Sequence, residues 1–491
     1  MKNFYLLILF SLILSHASNA QSQFYSVPAN IIDQYVRDST HVIGQLDLTF
    51  PEDGMAIVQF DGEAYGSPED RIILAANIYP EWDANAGNVD VRSAFNDEGH
   101  CFSHTQLFPV TAGQQSFYAV VTNYVDIQGS GRATVYGRLS VEYFPQSSSV
   151  TIANSVQTEN FTLTQKLALD SVTIEASGPG KIEVRLNGRA EPIHGDILMI
   201  GVSDTKNWSY TDPQNAALEH NDADEFSISF SSTKLVNVDE AGTYTFYAMA
   251  QIAYEEEGTG SVYTYTNLHA CFYPQTEEHI LRQKFIHQQN LILDEQLDLL
   301  DSITIDVQNP GKVEIRFDGA LRSPFGRSIL LAANDDITFG LQEGSVILQT
   351  NDDDLDRHPF VHTQVFDVES GSHTFYIMAQ SQPGTGSVEV DLNGSFLVKY
   401  YPETEVTAVD QLSALTFDIW PNPASDRINI QYEKDNDHME VSILDLQGHI
   451  IRHEANVVSG NELEISTLPS GIYIVEINNG KERGYKKLVK E

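Results

Sequence analysis

The sequence contains little cysteine and few basic residues. Two cysteines in 491 residues are too few for a disulfide framework, so the folded regions must depend on apolar cores. Lysine and arginine number 28 against 69 aspartates and glutamates, and the formal net charge is -41 at pH 7. A chain this acidic repels phosphate backbones and anionic lipids, which argues against nucleic-acid binding.

Long apolar runs are also rare, and the clearest one lies at the N-terminus. Residues 1–20 combine Lys2, an apolar run from Phe4 to Leu14 and a small-residue exit ending at Ala20. This is the pattern of a cleavable signal peptide. No later stretch approaches the roughly 20 apolar residues that a spanning helix needs. We therefore expect an exported mature chain that begins near Gln21 and has no transmembrane segment.

Most of the chain is a threefold internal repeat with a period of about 130 residues, which is typical of tandem domains. Each copy has a strand that ends in an Asp-Gly or Asn-Gly pair, and these dipeptides predict a turn at the same place in each copy. The three segments are Val58–Gly62, Val184–Gly188 and Ile315–Gly319. Each copy then has an almost wholly apolar run, which predicts a central buried strand. These runs are Ile72–Ala76, Leu198–Val202 and Ile329–Ala333.

The end of the third copy shows the alternation of apolar and polar residues most clearly. It predicts four strands, at Val365–Val368, His373–Ala379, Ser387–Leu392 and Phe396–Tyr400. Each copy has about eight short strands and almost no helical periodicity, the pattern of a two-sheet antiparallel sandwich. The predicted fold is thus all-β, with three tandem jelly-roll-like sandwiches at residues 21–146, 155–275 and 283–403.

The cadence of strands and aromatic residues in the copies loosely resembles that of tumour-necrosis-factor-type jelly rolls. That resemblance implies that the three units pack as a pseudo-trimer within one chain. Cys101 and Cys271 occupy non-equivalent positions in two copies. Both a disulfide between domains and two unpaired buried thiols are compatible with this placement.

After a linker at residues 404–416, the chain changes character, and residues 417–491 predict a small, separate β-sandwich. Its motifs closely resemble those of the type A C-terminal sorting domain of the type IX secretion system of Bacteroidota, in the same order and spacing. They are Trp420–Ala424, Leu444–Gly448, Leu468–Val475 and Lys486–Lys490. Basic residues near the end of this segment form a local positive patch that a receptor could read.

The resemblance implies export through the periplasm and the outer membrane, with the translocon and the sorting peptidase machinery as partners. The product is then secreted or attached to the cell surface. The sorting-signal residues implied by the motifs are Pro421, Asn422, Pro423, Gly448, Gly471, Tyr473, Lys487 and Lys490.

Two sets of residues in the repeats are candidates for ligand binding. An aromatic residue follows the apolar run in each copy, and it can either close the end of the sandwich or stack on a sugar ring. These residues are Trp82, Trp208 and Phe339. The motif His-Thr-Gln begins at His104 and again at His362, and the middle copy has Ser232 instead. The histidines either line a groove or serve as structural residues within a strand.

The acidic segment of the third copy is a candidate calcium site. Its carboxylates are Asp352, Asp353, Asp354 and Asp356. Calcium prefers several oxygen ligands of this kind, but the spacing does not follow an EF-hand, and a solvated acidic loop is the alternative. No other cofactor is indicated.

The sequence favours a non-enzymatic role over catalysis. No copy carries an unmatched set of acid, histidine and nucleophile, as an enzyme site would require. The first hypothesis is therefore a secreted or surface protein in adhesion, glycan binding or surface assembly, with glycan or surface polysaccharide as a partner. The alternative is an extracellular hydrolase, or an accessory subunit, acting on polysaccharide or protein.

Overall fold

A computed structural model describes the protein over most of its length, in two compact units, residues 1–403 and 404–491. The described residues are 22–37, 39–66, 70–81, 89–92, 99–125, 130–163, 166–191, 197–209, 216–219, 228–254, 261–275, 279–324, 326–337, 346–350, 357–384, 386–403, 413–414, 417–432, 439–444, 450–478 and 482–490. They form strands and connecting segments and no helix, so the all-β prediction is confirmed. In particular, this part of the chain offers no helix long and apolar enough to cross a bilayer. The predicted signal peptide lies outside the described residues.

Repeat 1 comprises eight strands in two four-stranded antiparallel sheets. They are β1 (Gln23–Tyr35), β2 (His41–Phe50), β3 (Gly54–Gly66), β4 (Asp70–Asn77), β5 (Val89–Arg92), β6 (Gly99–Val110), β7 (Gly113–Val125) and β8 (Arg132–Pro145). The inner sheet has the order β1-β8-β3-β6 and the outer sheet β2-β7-β4-β5. This is the strand order of an eight-stranded jelly roll.

Repeats 2 and 3 have the same architecture. Repeat 2 comprises β9 (Thr151–Thr162), β10 (Leu167–Ala176), β11 (Gly180–Glu191), β12 (Ile197–Ser203), β13 (Ala216–Glu219), β14 (Ile228–Val238), β15 (Gly242–Tyr254) and β16 (Ser261–Pro274). Repeat 3 comprises β17 (Ile280–Leu293), β18 (Asp298–Val307), β19 (Gly311–Arg322), β20 (Arg327–Asn334), β21 (Val346–Thr350), β22 (Arg357–Val368), β23 (Gly371–Ser381) and β24 (Val388–Pro402). Their inner sheets are β14-β11-β16-β9 and β17-β24-β19-β22, and their outer sheets are β10-β15-β12-β13 and β18-β23-β20-β21.

Each jelly roll has its own apolar core between its two sheets. The apolar runs predicted as central strands form β4, β12 and β20, which lie between two neighbours in their outer sheets. Strands β9 and β17 begin ahead of the predicted starts of the second and third domains, at Thr151 and Ile280. The domain boundaries themselves stay a prediction.

The Asp-Gly and Asn-Gly pairs do not form turns, and that prediction is wrong. Strands β3, β11 and β19 continue through them without interruption. The glycines are needed for close strand approach, because a Cβ on Gly188 would lie 1.9 Å from the carbonyl oxygen of Tyr265, and one on Gly319 would lie 2.1 Å from that of Asn393. Similarly, the last two strands predicted in repeat 3 are a single strand, β24.

The second unit is a small β-sandwich, as predicted. Its strands are β25 (Ser413–Ala414), β26 (Phe417–Trp420), β27 (Arg427–Tyr432), β28 (Met439–Leu444), β29 (Ile450–Val457), β30 (Asn461–Glu464), β31 (Gly471–Asn478) and β32 (Glu482–Lys490). One sheet has the order β25-β32-β31-β28-β29 and the other β26-β27-β30. Alternate residues of the central strands, such as Ile428, Ile430, Val441 and Ile443, form its core.

Candidate functional site

The three jelly rolls of the first unit contact one another through equivalent residues of their inner sheets. An aspartate or asparagine at the middle of β3, β11 or β19 pairs with a threonine from another repeat. Thr363 donates to Asp61 (2.9 Å), Thr233 donates to Asp318 (2.6 Å), and Asn187 donates to Thr105. The contacts join repeat 1 to repeat 3, repeat 3 to repeat 2, and repeat 2 to repeat 1. The three repeats are therefore arranged cyclically, like the subunits of a trimer.

Eight charged side chains are buried where the repeats meet, and we call them the central network. They are Asp61, Glu142, Glu183, Glu314, Asp318, Arg185, Arg316 and Lys399. Charges removed from water cost several kcal/mol each unless they are paired and hydrogen-bonded. Each member of this network is accordingly in contact with an opposite charge.

Arg316 joins all three repeats through one guanidinium group. Its Nη1 donates to Asp61 of repeat 1, and its Nε donates to Asp318 of its own repeat at 3.2 Å. Its Nη2 donates to the hydroxyls of Ser231 in repeat 2 (2.7 Å) and Ser103 in repeat 1 (3.2 Å). The side chain is 1% exposed, so these contacts replace its hydration almost completely.

Arg185 occupies the equivalent strand position in repeat 2. Its Nη1 and Nη2 donate to the two oxygens of Glu314 at 3.0 and 3.1 Å, the bidentate geometry that makes such pairs strong and directional. Its Nε donates to Glu183, and its Nη1 also donates to Gln59 of repeat 1 at 2.8 Å. Arg185 thus also contacts the other two repeats.

Lys399 is the third cation of the central network. Its Nζ donates to Glu142 of repeat 1 and Glu183 of repeat 2, each at 2.9 Å, and to the hydroxyl of Tyr273. The ammonium lies 4.5 Å and 5.0 Å from the ring centroids of Tyr273 and Tyr401. Cation–π contacts of this kind are strongest when, as here, the cation is desolvated.

The pKa values of Glu142 and Glu183 in the central network shift in opposite directions. Burial raises the pKa of Glu142, and the nearby Glu183 adds to this effect, although Lys399 opposes it. Burial by itself would also raise the pKa of Glu183. The positive charges of Arg185 and Lys399 outweigh this effect and lower the pKa of that carboxyl to about 2.

A small cavity of about 10 Å³ lies within the central network. Glu142, Glu183, Arg185, His269 and Glu314 line it. Its volume is close to the roughly 10–15 Å³ that one water molecule occupies by this measure. Nδ1 of His269 has no hydrogen-bond partner among the described residues, and burial, together with the charge of Arg185, lowers the pKa of this histidine to about 3.

The sequence analysis missed the central network. A usable signal was present, because Gln59, Arg185 and Arg316 each stand between two apolar residues at the same position of each repeat. A charged residue in the middle of a strand whose neighbours are all buried requires a partner. The pattern alone does not identify that partner.

His104 and His362 point into the interiors of their jelly rolls. The backbone N–H of Ala76 donates to Nδ1 of His104, and that of Ala333 donates to Nδ1 of His362, both at 2.9 Å. Both backbone groups lie just beyond the residues of β4 and β20 that pair with β5 and β21. Burial lowers the pKa of each histidine to about 3. The rings are therefore neutral and satisfy backbone groups where an edge strand ends.

Trp208 is 4% exposed and packs against Met199, Met249 and Ala320, the last of which belongs to repeat 3. The other two aromatic candidates, Trp82 and Phe339, lie outside the described residues, as does the predicted calcium site at Asp352, Asp353, Asp354 and Asp356. Within the described ranges, no three histidine, cysteine or acidic side chains are placed to hold a metal ion.

Cys101 and Cys271 are unpaired and buried. Cys101 joins the apolar core cluster of repeat 3, whereas Cys271 packs with Ile57, Phe144 and Leu281 in a different cluster. Burial raises the pKa of both thiols, with Glu63 adding to the effect at Cys101 and Glu142 at Cys271. Of the two sequence-based alternatives, the structure has the pair of unpaired thiols.

The motif residues of the second unit come together beside its last strand. The side chain of Asn422 donates to the carbonyl of Lys487 (2.6 Å) and accepts from the N–H of Val489 (2.8 Å). The peptide bonds before Pro421 and Pro423 are both cis. In the same sheet, Gly471 and Tyr473 of β31 pair with Lys490 and Leu488 of β32. Gly448 lies outside the described residues.

Comparison with known proteins identifies the second unit. Residues 418–491 match the family model of the secretion system C-terminal sorting domain. No curated protein matches the sequence.

Solved structures similar to the chain include a Ruminococcus gnavus beta-glucuronidase (11% identity, 38% of this chain and 34% of that one, TM-score 0.13). They also include the CBM22-1-CBM22-2 tandem domain of Paenibacillus barcinonensis Xyn10C (10% identity, 50% and 92%, TM-score 0.15) and a triple jelly roll protein of an archaeal virus (10%, 78% and 92%, TM-score 0.19). At these scores they bear on neither fold nor function. This chain spans only 34% of the length of the beta-glucuronidase.

The family match agrees with the motifs read from the sequence and with the way the structure assembles them. The match begins within β26 and includes β27 to β32. Residues 418–491 are thus a C-terminal sorting domain of the type IX secretion system, and the protein is exported through the outer membrane to a secreted or cell-surface location.

Proposed function

We propose that residues 21–403 form a non-enzymatic unit that acts in adhesion, glycan binding or surface assembly after export. In this proposal the three repeats are domains with the boundaries 21–146, 155–275 and 283–403. A signal peptide at residues 1–20 delivers the chain to the periplasm of a member of the Bacteroidota, before the sorting domain is read.

The proposal rests on the polar side chains at the contacts between repeats, which bond one repeat to another. Arg185, Arg316 and Lys399 each bond to residues of other repeats and are almost fully buried. Replacing a buried ion pair by well-packed apolar residues is often neutral or stabilising, so we infer that these pairs act mainly in the choice of one arrangement. The central network therefore serves to hold three jelly rolls in one fixed orientation, as a rigid surface protein requires.

The same observation favours binding or assembly over hydrolysis. A polymer-degrading site needs titratable groups at an open cleft, where the substrate chain can reach them. The titratable groups with large pKa shifts that we describe, such as His104, His362 and Glu183, are buried and bonded to the protein itself. These groups therefore stabilise the fold and do not face an open cleft.

The full-length exported chain tests the proposal in paired binding and hydrolysis assays. We expect it to bind intact cells or members of a glycan array without releasing products from polysaccharides or proteins. Binding measured with and without a chelator tests the calcium candidate at Asp352–Asp356. Release of products from a polysaccharide or a protein by the purified chain would contradict the proposal.

A further inference from the structure

Strands β1, β9 and β17 are equivalent edge strands, each at one end of the inner sheet of its repeat. On one side they pair with β8, β16 and β24 respectively, and no other described strand pairs with the opposite side. An edge of this kind presents a row of backbone donors and acceptors to which another chain can add a strand. Proteins limit such pairing with bulges, proline or charged side chains on the edge strand.

Strands β1 and β17 both carry these protections. The pairing of each strand with its neighbour shifts at a bulge, which bends the edge. A residue with a positive φ stands in each bulge, Asp33 (47°) in β1 and Asn290 (53°) in β17. In addition, β1 contains Pro28, which has no backbone donor, and β17 contains Arg282 and Lys284.

Strand β9 has none of these protections. Its 12 residues, Thr151–Thr162, pair with β16 in one continuous register, and none of them has a positive φ. The strand contains no proline, lysine or arginine, and Glu159 is its only charged residue. Val156 is 46% exposed, and Thr158, Glu159 and Asn160 are also exposed. The free edge of β9 is therefore long, regular and open to solvent.

The sheet beside this edge is almost free of charge, although 20% of the residues in the chain are charged. Strand β16 contains no aspartate, glutamate, lysine or arginine. Depletion of charged residues is the compositional mark of the core of a protein interface. The equivalent strands of the other repeats are not depleted, since they contain Arg132, Arg138 and Glu142 in β8 and Glu389, Asp391 and Lys399 in β24.

We propose that β9 pairs antiparallel with β9 of a second copy, so that two inner sheets join into one continuous sheet. Antiparallel pairing of identical strands uses the same surface on both copies and gives a closed two-fold dimer. Since Glu159 is the only charge, like charges oppose each other only in the register that places this residue opposite itself. The inference goes beyond the proposed function, because dimerisation does not depend on binding of a glycan or a cell.

The net charge of -41 opposes this pairing and gives the dimer a characteristic salt dependence. Salt screens the repulsion between exposed charges of two copies, over a distance of about 10 Å at 0.1 M. Backbone hydrogen bonds between the two strands act at contact distance. The dimer should therefore become tighter as the salt concentration rises, whereas association driven by opposite charges would become weaker.

Sedimentation equilibrium of the full exported chain tests the proposal at roughly 1–100 µM protein. We expect a monomer–dimer equilibrium that is tighter in about 0.5 M than in about 0.05 M NaCl. A chain that stays monomeric at every concentration and salt would overturn the proposal, and would leave the edge to an extended segment of another protein. Dimerisation that weakens with salt would overturn it as well.

Val156→Pro removes one backbone donor from β9. Val156 lies opposite Asn267 in the β9–β16 pair, which is the position that Pro28 occupies opposite Arg138 in the β1–β8 pair. Because β1 pairs with β8 through this position without an N–H, the donor is not needed for pairing within the sheet. We expect Val156→Pro to keep its urea midpoint and to weaken dimerisation at least about tenfold.

Phe285→Pro is the matched control, since it makes the same change opposite Ser395, at the equivalent position of β17. It should leave the dimer affinity unchanged. Thr158→Lys adds a charge to the edge of β9 without altering the backbone, and it should also weaken dimerisation about tenfold. This second variant keeps the test decisive if Val156→Pro does not fold.

Two further results would overturn the proposal. One is equal weakening of the dimer by Val156→Pro and Phe285→Pro, which would show that β9 is not the contact. The other is a dimer whose affinity neither Val156→Pro nor Thr158→Lys changes. Binding to cells or glycans is measured separately, so either inference can fail while the other stands.

Discussion

Three described histidines of the three-repeat unit are buried and a fourth, His358, is partly buried, and burial lowers the pKa of each. The pKa falls to about 3 for His104, His269 and His362, with Arg185 contributing at His269 and Arg138 at His362, and to about 4 for His358, where His100 contributes. Their ordinary value is 6.5. The folded protein therefore keeps these rings neutral at a pH where the unfolded chain protonates them.

This difference predicts a loss of stability in mild acid. Each histidine contributes stability that is fully present above pH 6.5 and is lost as the pH falls toward its folded value, at about 1.4 kcal/mol per pH unit. We expect the free energy of unfolding in urea to fall steeply between pH 6.5 and pH 4.5. His104→Gln should reduce the slope of unfolding free energy against pH by the contribution of about one bound proton. His287→Gln changes an exposed histidine and should leave this slope unchanged. A flat profile in the parent protein would refute this account.

Strands β3, β11 and β19 show how tertiary packing overrides local turn preference. Each contains a dipeptide that favours a turn, yet each stays extended because it lies between two partners in its inner sheet. The glycine then allows the adjacent strand to approach. The glycine in each pair thus marks a place where two backbones lie close together. It does not mark a turn, although Asp-Gly and Asn-Gly pairs usually do.

Replacing Gly319 by alanine should therefore disrupt the middle of β19. The added Cβ would lie 2.1 Å from the carbonyl oxygen of Asn393, so strand separation must increase. We expect a loss of about 1–3 kcal/mol in the free energy of unfolding, measured with urea. Gly178→Ala is the matched control, because its Cβ would meet nothing within 4 Å, and it should change stability by no more than about 0.5 kcal/mol. Equal effects of the two changes would exclude strand crowding as the cause.

Across the whole three-repeat unit, the central network couples jelly rolls that each have a separate apolar core. The single side chain of Arg316 contacts Asp61 and Ser103 in repeat 1 and Ser231 in repeat 2. Loss of one partner of a buried ion pair leaves the other charge uncompensated. A change at this residue should thus be felt in all three jelly rolls.

Arg316→Met should destabilise the three-repeat unit by about 3–5 kcal/mol. Hydrogen–deuterium exchange should show faster exchange in β3 and β11 as well as in β19. Lys284→Met provides the comparison, since its ion pair with Asp301 is 48% and 34% exposed and lies within one repeat. It should leave exchange in all three strands unchanged. Faster exchange confined to repeat 3 would show that the jelly rolls unfold independently.

The sequence by itself determined the all-β class, the three jelly-roll repeats and the sorting domain. Strand periodicity and motif order depend on residues that are close in the chain, so they can be read without knowing the fold. Only the tertiary structure decided which charges meet. Arg316 and Asp61 are separated by 255 residues, and Lys399 and Glu142 by 257. Burial then decided their chemistry, because removal from water makes each charge depend on partners that local sequence does not specify.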